Sequence, residues 1–112
     1  MPTIAELDAT GLHTMEELRN HVVSLIQAPN PVLFDLGCGR KVAAGFRGVD
    51  LYADVEVRAD LFSHEWTFTP ENSADMLYAS HFLEHVPDLN TFMSNAWKIL
   101  KDGGFFLINT PY

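Results

Sequence analysis

Apolar and polar residues alternate along the chain in two rhythms. From Thr14 to Ala28, Met15, Leu18, Val22, Leu25 and Ile26 follow the three- and four-residue spacing of one helical face. Thr14 with Glu17 three residues on forms a capping box, and Pro29 marks the stop. This predicts a helix over 14–28 that lays its stripe against a sheet. Asn30 and Pro31 then turn the chain into Val32–Leu36, apolar except for Asp35, as expected of a central strand buried on both faces. Further strands are predicted at Phe46–Leu51, Val55–Ala59, Asp75–Ala79 and Phe105–Asn109. Between the last two, Leu89, Phe92, Met93, Ala96, Trp97 and Leu100 repeat with helical spacing, and the helix is expected to end before Gly103 and Gly104. Strands joined by helical or loop crossovers point to a parallel α/β sheet.

Two connections break the usual form. Only six residues separate Gly39 from Phe46, where a parallel crossover normally takes about a dozen, so the helix after the first strand is expected to shrink to about a turn. The link 61–74, LFSHEWTFTPENSA, holds Trp66, Phe68 and Pro70 without helical period and is expected to be a packed loop. Residues 1–13 read as an N-terminal arm, 14–28 as a packing helix and 32–112 as the core of one domain, a fitting size for 112 residues.

Composition narrows the partners. The chain is 47% apolar and 20% charged, and no apolar run reaches the roughly 18 residues of a membrane span. The acidic N-terminal stretch lacks the basic and apolar regions of a secretion signal. Cys38 stands alone and cannot form an internal disulfide, which fits a reducing compartment, and a cytoplasmic location is expected. The net charge is −8 and the seven basic residues form no stripe, which disfavours a stand-alone nucleic-acid binder.

The candidate chemistry sits where apolar runs end. Asp35, Asp50, Asp60 and the pair Ser80 and His81 each follow one, and in open parallel sheets ligands bind beyond the carboxyl ends of the strands. One aspartate after a strand is most often a turn residue or a cap; a succession of them weakens that explanation. A dinucleotide fingerprint needs G-x-G-x-x-G opening a helix. Here Gly37 and Gly39 are followed by Val42 where the third glycine belongs, so a nicotinamide or flavin cofactor is disfavoured. Cys38 has no candidate base at a recognisable spacing and is not expected to act as a nucleophile. His81, Glu84 and His85 spell H-x-x-E-H, an inverted zinc-protease motif. A third ligand is expected on a following helix, and little chain is left to supply it. A metal-dependent hydrolase is therefore the weaker alternative, beside a plain helix start with satisfied polar groups.

Taken in order, DLGCG, GVD, ADL, ASHFLEHVPD and ILKDGGFFLINTPY resemble the cofactor half of class I S-adenosylmethionine-dependent methyltransferases, in the branch with a shortened first crossover. The resemblance spans 32–112. It implies a Rossmann-like open parallel sheet of order 3-2-1-4-5 with flanking helices. It also implies S-adenosylmethionine as cofactor and a small-molecule or protein-bound methyl acceptor. By that resemblance Asp35, Gly37 and Gly39 shape the pocket for the methionyl part, and Asp50 accepts from the ribose hydroxyls. Asp60 takes the adenine amino group with Leu61 packing on the ring, and Ser80 and His81 lie beside the sulfonium. Cys38 and Leu51, next to these, join the cofactor-binding set. Where the family carries its third glycine this chain has Lys41, either reaching the cofactor carboxylate or simply exposed. Trp66, Phe68 and Phe82 are expected in the core or the pocket wall, and Glu84 and His85 near the pocket mouth. For an oxygen or nitrogen acceptor a general base is needed near the sulfonium, and His81 and His85 are the nearest candidates. The family's sheet resembles one of seven strands and the sequence reaches five. Either the chain is a fragment of a longer protein, or a second copy or partner chain is expected to cover the exposed fifth strand. A non-catalytic binding or assembly module on the same fold is the alternative, and the acceptor is not legible.

Overall fold

The computed structural model of the chain describes residues 15–52 and 54–109. The expected N-terminal arm and the Thr14 cap lie outside them. A five-stranded sheet, all parallel, runs in the order β3-β2-β1-β4-β5. Its strands are β1 (Leu33–Leu36), β2 (Arg47–Asp50), β3 (Val57–Arg58), β4 (Ala74–Ser80) and β5 (Leu100–Asn109), with helices α1 (Met15–Gln27) and α2 (Leu89–Ile99) and a single 3-10 turn, Leu83–His85. This is the order and fold class that the resemblance implied. The chain builds outward from β1 through β2 to β3, then crosses back to lay β4 on the other side of β1. The strand order therefore reverses at the tip of β1, the switch point where open sheets bind ligands.

All four residues of β1 are buried. Phe34 and Leu36 face one layer, with Leu77, Ala79, Phe92, Ala96, Ile99 and Phe106. Leu33 faces the other, with Met76, Phe105 and the Val22, Leu25 and Ile26 stripe of α1. The two-residue period of a strand deals alternate residues to opposite layers, which is why a continuous apolar run marked β1.

The region 61–73 has no helix or strand and packs as expected. The Trp66 indole N–H donates to the Leu61 carbonyl at 3.1 Å, and its ring meets Phe92 edge-on at 5.1 Å. Asn95 of α2, buried, donates from its amide to the His64 carbonyl at 3.2 Å. The Asn72 and Ser73 N–H groups donate to the Lys98 and Ile99 carbonyls, each at 2.9 Å, so the loop satisfies carbonyls that the end of α2 leaves without helical partners.

Two sequence expectations change, the lengths of β3 and β5. β3 pairs over two residues rather than five. Helix α2 starts on an Asp88 cap, whose carboxylate accepts from the Thr91 N–H and hydroxyl, and it ends before the glycines as expected. Leu100 is already extended, so β5 starts there, and Lys101–Gly104 bulge against Asp75 before pairing resumes at Met76 with Phe105. Asp75 holds this irregular edge: its carboxylate accepts from the Val32 N–H at 2.9 Å and from Lys101 Nζ at 3.2 Å.

Because Trp66 fills the layer between the loop and α2, Trp66→Ala is expected to lower the unfolding free energy by about 3–5 kcal/mol, measured by urea denaturation.

Candidate functional site

The connection from β1 to β2, residues 37–46, holds turns and no helix; Phe46 N–H closes one on the Ala43 carbonyl at 3.0 Å. The chain leaves β1 through Gly37, in the left-handed region at φ +66°. A Cβ there would run into the Phe82 ring, so glycine is required by conformation and by space. The Gly37 N–H donates to the Val49 carbonyl at 2.8 Å, which pins the loop to β2. Farther along, the loop folds back over β2, with Val42 and Cys38 against Gly48, where a Cβ would lie 2.7–2.8 Å from them.

Two hollows open on either side of this loop. The first, about 210 Å³, lies beyond the tips of β1, β2 and β3 and is lined by Gly37, Asp50, Leu51, Tyr52, Ala59, Asp60, Leu61, Phe62 and Phe82. Asp50 is fixed in it through both carboxylate oxygens: Oδ2 accepts from the Gly39 N–H at 3.0 Å and Oδ1 from the Tyr52 N–H at 2.9 Å. Asp60 is held through one oxygen, its Oδ1 accepting from the Phe62 N–H at 2.9 Å. Both carboxylates are thus oriented by backbone amides at the rim of the hollow.

The second hollow, about 280 Å³, is lined by Asp35, Cys38, Lys41, Val42, Ala43, Tyr78 and Ser80. Asp35, only 3% exposed, accepts from the Ala43 N–H at 2.9 Å. Burial pushes its carboxyl above the ordinary carboxylate value, and the Ala43 hydrogen bond pulls part of the way back. Burial also pushes the Cys38 thiol up, with further upward pressure from the charges of Asp35 and Asp50. That favours the thiol over the thiolate and weakens a nucleophilic role further.

The sequence candidates are thus divided. Gly37, Asp50, Leu51, Asp60 and Leu61 share the first hollow, whereas Asp35, Cys38 and Ser80 face the second; Gly39 lines neither and donates its N–H to Asp50. His81, at the tip of β4, is exposed with φ +55°, and its N–H donates to the Asn109 carbonyl at 2.7 Å. His85 lies on the 3-10 turn, its Nε2 3.7 Å from Glu84 Oε1. The H-x-x-E-H residues do not share one α-helical face, because the left-handed residue and the single 3-10 turn intervene. Among the described residues no group of three His, Cys, Asp or Glu could hold a metal ion, so the hydrolase alternative is not favoured.

Phe82 proves to be a cleft wall, while Trp66 is core. Tyr52 and Phe62 were not singled out from the sequence. A signal exists in retrospect: Asp50-Leu51-Tyr52 and Asp60-Leu61-Phe62 repeat one Asp-Leu-aromatic pattern, and in both the carboxylate binds the aromatic residue's own N–H.

Among the described residues no helix is long and apolar enough to cross a membrane. A family model described as "Methyltransferase domain" matches residues 50–108, more than half of the chain. A ubiquinone biosynthesis O-methyltransferase of Hydrogenovibrio crunogenus (strain DSM 25203 / XCL-2) is 28% identical over 123 residues, covering 89% of this chain and 51% of the relative. The chain thus spans about half the length of that relative. The reversal of strand order at β1, the carboxylates at the strand tips and the family match lead to one assignment: the chain belongs to the methyltransferase-domain family, of the class I type whose methyl donor is S-adenosylmethionine.

Proposed function

We propose that the chain binds S-adenosylmethionine across the two hollows and serves as the cofactor-binding part of a methyltransferase acting on an oxygen acceptor. The observation that carries this reading is the pair of oriented carboxylates, Asp50 and Asp60, set at neighbouring strand tips around an apolar hollow. The residues fit the cofactor's parts. Asp50 offers adjacent acceptors for the two ribose hydroxyls, Asp60 accepts from the adenine amino group, and Leu51 and Leu61 supply apolar walls. The loop Gly37-Cys38-Gly39 is the saddle between the hollows, and Asp35 and Ser80 receive the methionyl end beyond it. Lys41, beside that second hollow, is a partner for a carboxylate.

Bound there, the sulfonium cofactor supplies an activated methyl group. The protein's work is then to align the acceptor and exclude water. His81 is the base we assign for the acceptor's proton, with His85 as the other candidate. A non-glycine side chain in the left-handed region is uncommon, and such strain gathers at functional sites. The oxygen acceptor is supported by the name of the relative and by the presence of a base candidate. The far edge of β5 is unpaired among the described residues, and an open edge invites another strand.

Calorimetry with S-adenosylmethionine tests the reading: binding is expected, and a folded protein that binds none overturns it. Asp50→Ala is expected to weaken that binding by about 1–3 kcal/mol. His81→Asn tolerates the left-handed backbone and is expected to keep cofactor affinity while methyl transfer to hydroxyl-bearing acceptors falls by about 10²–10⁴-fold. Asp35 gives a pH signature. Its folded value lies above the unfolded one, so its contribution is intact below the ordinary carboxylate range and is lost as pH rises through the folded value. Denaturation of Asp35→Asn against the parent is therefore expected to show the variant gaining relative stability from pH 3 to pH 7, while binding the cofactor less tightly.

A further inference from the structure

Cys38, Lys41, Val42 and Ala43, all from the connection between β1 and β2, form one side of the second hollow. That hollow therefore exists only while the connection lies on the sheet. Residues 40–45 form neither helix nor strand, and all but the half-buried Ala43 are exposed. Glycines bracket the segment, both in the left-handed region, Gly39 at φ +59° and Gly45 at φ +86°. Space demands neither: a Cβ at Gly39 would meet nothing within 4 Å, and one at Gly45 would meet Ile26 at an ordinary 3.9 Å. Both serve the backbone alone, as residues do that must pass between dihedral wells. At each end the chain is anchored, by Asp50, which accepts from the Gly39 N–H at 3.0 Å, and by Phe46, which packs in the layer under α1. Between these anchors the Ala43 N–H donates to Asp35 Oδ2 at 2.9 Å, and Val42 rests in the space that Gly48 leaves.

We propose that residues 40–44 are a flap, hinged at Gly39 and Gly45 and latched by the Asp35 carboxylate, whose opening is the way into and out of the second hollow. Opening releases a backbone amide and the seat of Val42 and leaves the strand pairings in place, so it needs far less free energy than unfolding. The latch sits inside the hollow that it closes, because Asp35 lines that hollow too. A ligand group that reaches Asp35 therefore lies beneath the flap and leaves when the flap lifts. That this group is the methionyl end of the cofactor rests on the function proposed above; the flap itself does not.

Cys38 is the chain's one cysteine, and its sulfur lies beneath the flap against Gly48. Two rates in the parent chain follow the flap: reaction of Cys38 with dithiobisnitrobenzoate and hydrogen exchange of the Ala43 amide. Both are expected to be insensitive to urea below the unfolding transition, since a local opening exposes little surface. Rates that rise with urea as steeply as global unfolding overturn the flap. Gly48→Ala sets a Cβ 2.7 Å from Val42 Cγ2 and 2.8 Å from Cys38 Sγ, and is expected to wedge the flap off β2 and raise both rates by about tenfold. Faster labelling with unchanged Ala43 exchange means that the thiol alone has moved, and overturns the flap as well. Where the variant does not fold, the urea dependence of the parent decides. S-adenosylhomocysteine, its binding followed by calorimetry, is expected to slow both rates at saturation. Binding without slowing overturns the passage of the cofactor beneath the flap. No binding overturns the function proposed above, while the urea dependence still decides the flap.

Discussion

The molecule depends on keeping a four-residue strand, Leu33-Phe34-Asp35-Leu36, out of water on both faces. Only a parallel sheet with cover on each side does this for so short a strand. β2 and β4 supply its hydrogen-bonding neighbours, and the two apolar layers supply its cover. A carboxylate inside that strand is costly. Asp35 is tolerated because it lies near the carboxyl end, where the returning loop offers it the Ala43 N–H. The constraint that makes β1 central also places a polar group beside the chain reversal at its tip.

From that point the site follows from short-range geometry. Gly37 lets the loop turn under Phe82, and Gly48 gives Val42 and Cys38 room to fold over β2. The loop thereby becomes a partition, with Gly37 lining one hollow and Cys38, Lys41, Val42 and Ala43 the other. Asp50 bridges the partition, since its carboxylate takes an N–H from Gly39 on the loop and another from Tyr52 beyond β2. The partition's position is thus fixed by a residue that also lines the first hollow.

The sequence made the strands, the turn after β1 and the acidic tips legible because each is written locally, as an apolar run, a glycine pair or an aspartate, whereas the strand order came from the family resemblance. What escaped was decided by residues far apart. The long β5 depends on Asp75 meeting Val32 and Lys101, separations that no local period encodes, and Gly103 and Gly104 read as a helix stop while they serve a strand bulge. The division of Asp35, Cys38 and Ser80 from Asp50 and Asp60 depends on which side of the folded-back loop each side chain falls. Phe62 was overlooked because its partner Phe82 is twenty residues away in the sequence.

The hydrogen bonds from Asn72 and Ser73 to the end of α2, with Asn95 holding the His64 carbonyl, bear on the order of assembly. The loop carrying the cleft wall precedes α2 in the chain, yet its amides find partners only after that helix exists. Loop and helix therefore form one hydrogen-bonded unit to which the wall at Asp60–Phe62 belongs. Helix α2 has no residue in either hollow. Its inner face bears on the first hollow all the same, through the loop it anchors rather than by contact.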